Sequence, residues 1–154
     1  MKIIRVIMVL SLLLAVHGQV SGGINAGAAA YNQGDYDAAL RVWRPLAEQG
    51  HAGAQLDLGF MYDNGYGVPQ DYQQAIAWYR KAADQGNDRA QYNLGHMYNK
   101  GDGVPRDHVQ AHMWYDIAGV AVAVKYRDFV AREMTPAQVT RAQRLAREWM
   151  EKHP

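Results

Sequence analysis

Residues 54–79 read AQLDLGFMYDNGYGVPQDYQQAIAWY, and residues 90–115 read AQYNLGHMYNKGDGVPRDHVQAHMWY. The two stretches align without a gap at a period of 36, with 15 identical positions in 26. A period between about 20 and 50 residues is the mark of a solenoid or a repeat array. Within each unit Ala54, Leu58, Met61 and Tyr62, and their counterparts Ala90, Leu94, Met97 and Tyr98, recur at helical spacing. Gly65 and Gly101 stand where that first helix must stop, because glycine accepts the left-handed conformation of a helix C-cap. Asp71 and Asp107 then stand where a second helix must start, as caps for free backbone N–H groups. The second helix runs through Ala75, Trp78, Tyr79 and Ala82, and Gly86 ends it. Gly59 and Gly95 fall inside first helices, where glycine costs about 1 kcal/mol relative to alanine. A cost repeated at the same place points to close approach of a neighbouring helix, with Ala75 and Ala111 as expected partners.

Upstream, Tyr31-Asn-Gln-Gly34-Asp35-Tyr36 matches the Tyr62–Tyr72 loop with five residues missing. The register then returns, pairing Ala39 with Ala75, Trp43 with Tyr79 and Ala47 with Ala83. Downstream the period breaks. Tyr126, Val130 and Met134 suggest one more helix, with Phe129 beside them. Thr135-Pro-Ala-Gln138 is a helix start with Thr as N-cap and Gln at the capping-box position. Behind it Val139, Ala142, Leu145, Ala146 and Trp149 form an apolar stripe suited to covering the last repeat.

The pattern A-x-x-x-L-G-x-M-Y-x-x-G-x-G-V-P-x-D-x-x-x-A-x-x-W-Y resembles the Sel-one-like repeat family, a relative of the tetratricopeptide repeat. The resemblance is strong over 54–115 and weaker over 26–53, which looks more tetratricopeptide-like. It implies an all-α fold, a right-handed α-solenoid of antiparallel helix pairs, whose concave surface binds other proteins. Some members carry cysteine-paired repeats and have been linked to penicillin binding. This chain has no cysteine, and that activity is not carried over.

Composition narrows the function classes. The absence of cysteine excludes disulfides, thiolate metal sites, a cysteine nucleophile and a lipobox. Ser11 and Ser21 are the only serines, which leaves a serine-hydrolase triad almost nowhere to sit. A net charge of +1 gives no case for nucleic acid. Lys2 and Arg5, the apolar run Val6–Val16 and the small residues Gly18–Gly23 follow the order of a secretory signal, with cleavage expected between Gly18 and Gly23. The apolar run is too short to span a bilayer, which takes about 20 residues. The chain thus divides into a signal peptide over 1–22, a half-degenerate unit over 26–53, full repeats over 54–89 and 90–125, and capping helices over 126–154.

His108 and His112, four apart on a second helix, could share a metal. The glutamate of the H-E-x-x-H pattern is missing, however, and both stand at the packing or rim positions of Tyr72 and Ile76. They are therefore expected to be a partly exposed structural pair, with no metal or other cofactor assigned. Arg141, Arg144 and Arg147 read as a solvated face, with Arg144–Glu148 and Arg147–Glu151 as helical ion pairs. The Trp–Tyr pairs at 78–79 and 114–115 read as core.

Recognition is sought where the repeats differ, since shared positions serve stacking. On the first helices these are Asp57/Asn93, Phe60/His96, Asp63/Asn99 and Asn64/Lys100. Steps of three and four put 57, 60 and 64 along one strip, expected to line the groove. Phe60 reads either as a groove anchor or as a residue tucked against the preceding unit. The expectation is a non-enzymatic adaptor or regulator of the bacterial envelope, periplasmic or secreted. It is expected to be a monomer with another protein as partner, no nucleic acid, and no membrane span in the mature form. An immunity protein sequestering a periplasmic effector is the alternative, and a hydrolase-type enzyme a distant one.

Overall fold

The computed structural model describes residues 22–154. Residues 1–21, which carry almost all of the expected signal segment, lie outside them. Among the described residues there are eight helices and no strand. They are α1 (22–32), α2 (Tyr36–Glu48), α3 (Ala52–Asn64), α4 (Tyr72–Ala83), α5 (Asp88–Lys100), α6 (His108–Ala118), α7 (Ala121–Ala131) and α8 (Pro136–Lys152). Each helix packs on the next from α2 through α6. At the end both α7 and α8 bear on α6. The result is the all-α solenoid that the repeat implies.

Local chemistry places the helix ends. The Asp35, Asp71 and Asp107 carboxylates accept from the backbone N–H groups of Ala38, Gln74 and Gln110 at 2.9, 3.0 and 3.0 Å. Asn87 does the same for α5. Thr135 and Gln138 form the reciprocal capping box that opens α8. Gly65 and Gly101 close α3 and α5 in the left-handed conformation.

The glycines inside the first helices have a steric cause. A β-carbon at Gly59 would lie 2.7 Å from the Tyr79 ring, and one at Gly95 would lie 2.6 Å from the Tyr115 ring. Both tyrosines are wholly buried, at 0% exposure. The close approach expected at these glycines is therefore present, but its main partner is the tyrosine ring rather than Ala75 or Ala111. Ala75 contributes only its carbonyl oxygen at the Gly59 position, 3.3 Å away.

Neighbouring pairs are then joined by repeated contacts. The buried Gln55 amide donates to the Ala47 carbonyl at 3.1 Å, and Gln91 donates to Ala83 at 3.1 Å. Each adds a donor at the C-terminal end of the helix before it, to a carbonyl that also accepts from the backbone N–H of Gly50 or Gly86. The second glycine of each G-x-G loop lets the loop lie against the preceding pair. A β-carbon at Gly67 would meet Tyr36 and Leu40, and one at Gly103 would meet Tyr72.

The apolar face of α8 covers the last layer. Ala142 and Ala146 are fully buried, and Trp149 sits edge-on to Trp114 at 5.6 Å. Arg144 pairs with Glu148 at 2.9 Å on the outer side, while the expected Arg147–Glu151 pair is not formed. Two other expectations are corrected. Trp78 is only half-buried, with the Lys81 ammonium 3.9 Å above its ring, so the core role falls to Tyr79, Trp114 and Tyr115. His112 is not partly exposed but 2% exposed, on the α6 face turned inward.

Gly95→Ala tests the steric argument. Alanine is the better helix former by about 1 kcal/mol, yet the added carbon must displace a buried ring. Overpacking of this kind costs about 1–3 kcal/mol, so urea unfolding should show a net loss of stability. Equal or higher stability would show that the ring does not fix the helix pair.

Candidate functional site

Helices α1, α3, α5 and α7 present side chains to a common groove. One cavity, of about 320 Å³, is bounded by Tyr31 and Asn32 of α1, Trp43 of α2, Asp57 and Phe60 of α3, and Arg89 and Asn93 of α5. A second, of about 240 Å³, continues from it along Tyr92 of α5 to Val120 and Val122 at α7. The two share Phe60, Arg89 and Asn93, so they form one trough along α1, α3, α5 and α7, with Trp43 of α2 reaching into it.

Phe60 stands at the junction and is 38% exposed. Its ring is also edge-on to Tyr31 of the preceding pair at 6.1 Å. One edge of the ring thus packs on α1, and the rest faces the groove. Tyr31 leads into an aromatic cluster with Tyr36, Trp43 and Tyr66, at ring separations of 5.5 to 6.0 Å. Such a cluster holds the groove wall rigid, since large flat rings lock one another's rotamers.

Of the eight residues expected at the groove, Asp57, Phe60 and Asn93 line these cavities. Asp63 lies beside the wall of α4. Its carboxylate accepts from the Tyr79 hydroxyl at 3.1 Å. Burial raises its pKa, and the Tyr79 hydrogen bond pulls against that rise. The same burial raises the Tyr79 phenol well beyond its ordinary value. His96 is half-buried near Tyr92 and Tyr126, at 6.4 and 6.3 Å between rings. Burial lowers its pKa, with the Lys100 charge acting the same way and Asp102 and Asp63 against it. Asn64 donates to the Phe60 carbonyl of its own helix at 3.0 Å. Asn64, Asn99 and Lys100 line neither cavity.

Arg89, Tyr92 and the α1 residues escaped the sequence reading. For two of them a signal existed. Arg89 stands opposite Gly53, and Tyr92 opposite Leu56, so both are differing positions one turn or less from Asn93. The α1 residues belong to the degenerate unit, which offers no aligned sister.

Asp57 is the electrostatic outlier. Burial pushes its carboxyl up to about 6, against a smaller downward pull from Arg89. Among the described residues no hydrogen bond or ion pair reaches the carboxylate. His108 and His112 do not converge on a common ligand position. His108 accepts from Arg106 at 2.9 Å, while His112 is buried near Asp116 and Arg127. Among the described residues no three His, Asp or Glu side chains are grouped to hold a metal, and no helix is long and apolar enough to cross a membrane.

The family model for the Sel1 repeat matches residues 52–87, 88–119 and 135–152, more than half of the chain. The chain belongs to the Sel1-repeat family. Two solved structures share its fold. One is a protective antigen present in uropathogenic Escherichia coli strains, displaying an SLR fold. It is 34% identical with a TM-score of 0.83, over 90% of this chain and 31% of that one. The other is a Sel1 repeat protein from Oxalobacter formigenes. It is 31% identical with a TM-score of 0.66, over 80% of this chain and 54% of that one. The chain thus spans about a third to a half of the length of these structures. No curated protein matches the sequence significantly. Sel1 repeats are generally non-catalytic scaffolds that mediate protein binding.

The raised Asp57 pKa has a consequence for stability. A folded-state pKa of about 6 against an ordinary 3.8 means that the folded chain disfavours the charged form. Ionisation at pH 7 then costs about 2–3 kcal/mol of stability. That cost shrinks as pH falls from 6 to 4, because the folded state takes up the proton first. Asn93 shows that an amide fits this repeat position. Asp57→Asn should therefore raise stability at pH 7 by about 1–2 kcal/mol, with the gain gone near pH 4. The comparison is made between variant and parent at each pH by urea unfolding, so that the buried histidines cancel. A variant less stable at pH 7 would refute the assignment.

Proposed function

We propose that this Sel1-repeat chain is a non-catalytic interaction module of the bacterial cell envelope, gripping one partner protein along the trough of α1, α3, α5 and α7. The observation that carries the reading is the pairing of a partly exposed Phe60 with an unpartnered Asp57 in one continuous concavity. The trough is built from side chains on rigid helices, and its central positions are those at which the repeats differ. A partner's side chain seated beside Phe60 loses its water and meets a preformed aromatic wall. Interfaces gain most of their energy from such anchors.

The envelope location rests on the N-terminal order of basic, apolar and small residues over 2–23. Removing that segment leaves 14 basic and 15 acidic side chains, a near-neutral mature chain. The absence of cysteine suits an oxidising compartment.

Two measurements test the two halves of this reading. Mass spectrometry of the protein from its host's envelope fraction should show a mature N-terminus between Gly18 and Gly23; a full-length cytoplasmic product would refute export. For the groove, Phe60→Ala should weaken capture of the cognate partner about thirtyfold, the loss expected for a hot spot of about 2 kcal/mol. Arg144→Ala on the outer face of α8 should leave capture unchanged, and circular dichroism should be native for both. Capture lost with Arg144→Ala and kept with Phe60→Ala would place the interface on α8 instead.

A further inference from the structure

Asp57 occupies a position that the fold itself fills with an amide one repeat later, at Asn93. Stacking therefore does not require a carboxylate there. It nevertheless stands on α3 at the wall of the 320 Å³ cavity, beside Tyr31, Trp43 and Phe60. Among the described residues it receives no hydrogen bond and no ion pair. Arg89 lines the same cavity from α5, yet the two groups do not pair. A desolvated carboxylate without a partner is a costly arrangement, and proteins keep such costs where a ligand repays them.

We propose that this cavity receives a basic side chain, lysine or arginine, from the partner protein. The proposal rests on the groove reading above and names the chemistry of its central contact. The cation of the incoming side chain meets the Asp57 carboxylate. Its aliphatic stem lies along Tyr31, Trp43 and Phe60, as long basic side chains do on apolar surfaces. Aromatic walls add a favourable surface for the cation itself. Partial burial of the carboxylate strengthens the attraction, because it is screened less than a carboxylate on the open surface. An anionic side chain is disfavoured in the same place, since Asp57 repels it. Arg89 acts against an incoming cation from the rim, so its removal must help binding.

That opposition of signs makes the proposal testable with blocked tripeptides of the sequence glycine-lysine-glycine. They are titrated into the ¹⁵N-labelled protein and followed by NMR. The Trp43 indole N–H, one of four in the chain, is the reporter and is assigned with Trp43→Phe. The lysine peptide should shift the Trp43 indole and the Asp57 amide with a millimolar dissociation constant. A norleucine peptide, which keeps the stem and lacks the charge, should bind about tenfold more weakly. Asp57→Asn should bring the lysine peptide down to the norleucine level. Arg89→Gln should tighten the lysine peptide several-fold.

A glutamate peptide that binds more tightly than lysine, with binding lost in Arg89→Gln, would overturn the proposal in favour of an anion site. Equal binding of lysine and norleucine, or no shift at Trp43, would also overturn it. The two readings fail separately. Partner capture that needs Phe60 while lysine leaves Asp57 untouched keeps the groove and refutes the cation pocket. Lysine bound at Asp57 while capture ignores Phe60 keeps the pocket and refutes the groove as the interface.

Discussion

Two tyrosine rings lie where no β-carbon can be. Tyr79 against Gly59 and Tyr115 against Gly95 set how closely the two helices of a repeat approach. A ring is a rigid, flat spacer, so this contact leaves little freedom in the angle between the helices. Contacts of a second kind join one repeat to the next. The buried glutamines Gln55 and Gln91 donate to carbonyls at the ends of the preceding helices. The loop glycines, Gly67 and Gly103, seat their loops on the preceding pair. A ring thus sets each repeat from within, and these polar and steric contacts tie it to its neighbour.

The same constraint builds the groove. The second helices bring the rings inward, and the first helices are left to face the concavity with whatever their free positions carry. Tyr79 also carries polar chemistry. Its ring serves stacking, while its hydroxyl donates to the Asp63 carboxylate of α3 at 3.1 Å. Among the described residues the corresponding hydroxyl of Tyr115 has no hydrogen-bond partner, and Asn99 stands where Asp63 does in the earlier repeat. The sister repeats are thus equivalent in their packing and unequal in their polar chemistry.

The helix pairs over 54–115 were legible in the sequence because each signal there appears twice, and chance does not repeat a cap and a glycine at the same offset. The first helix was not. Gly22 and Gly23 stand at the exit of the expected signal segment and Gly27 is a poor helix former, yet residues 22–32 are helical. Gly27 is needed there because the Trp43 indole occupies the place of its β-carbon, and the indole N–H donates to the Ile24 carbonyl at 3.3 Å. That is tertiary packing overriding local preference, which no single-chain periodicity reveals. At the other end, the four-residue spacing of Tyr126, Val130 and Met134 pointed to one helix. Val130 is buried in it, Tyr126 is partly exposed beside Tyr92, and Met134 lies beyond its end. At the site, three of the eight expected residues line the cavities. Of the strip 57, 60 and 64 only the first two reach a cavity, and on α5 the expectation began at Asn93 and left out the turn before it, where Arg89 and Tyr92 stand.

A repeat protein can change its binding surface without touching its core only if the two sets of positions are sterically separate. Here they are nearly so. Asp57 and Asn93 have similar size and shape, and one is charged. Exchanging one for the other alters the electrostatics of the groove while leaving the packing between Gly59 and Tyr79 untouched. Phe60 and His96 differ more, and each finds aromatic neighbours in its own surroundings: Tyr31 and Tyr66 for the first, Tyr92 and Tyr126 for the second. The groove therefore carries two unlike halves on one scaffold, an aromatic cavity with a carboxylate beside α1 and one without a carboxylate beside α7, with Arg89 lining both. A partner that fits both halves must present different chemistry to each, and that asymmetry fixes the direction in which it lies.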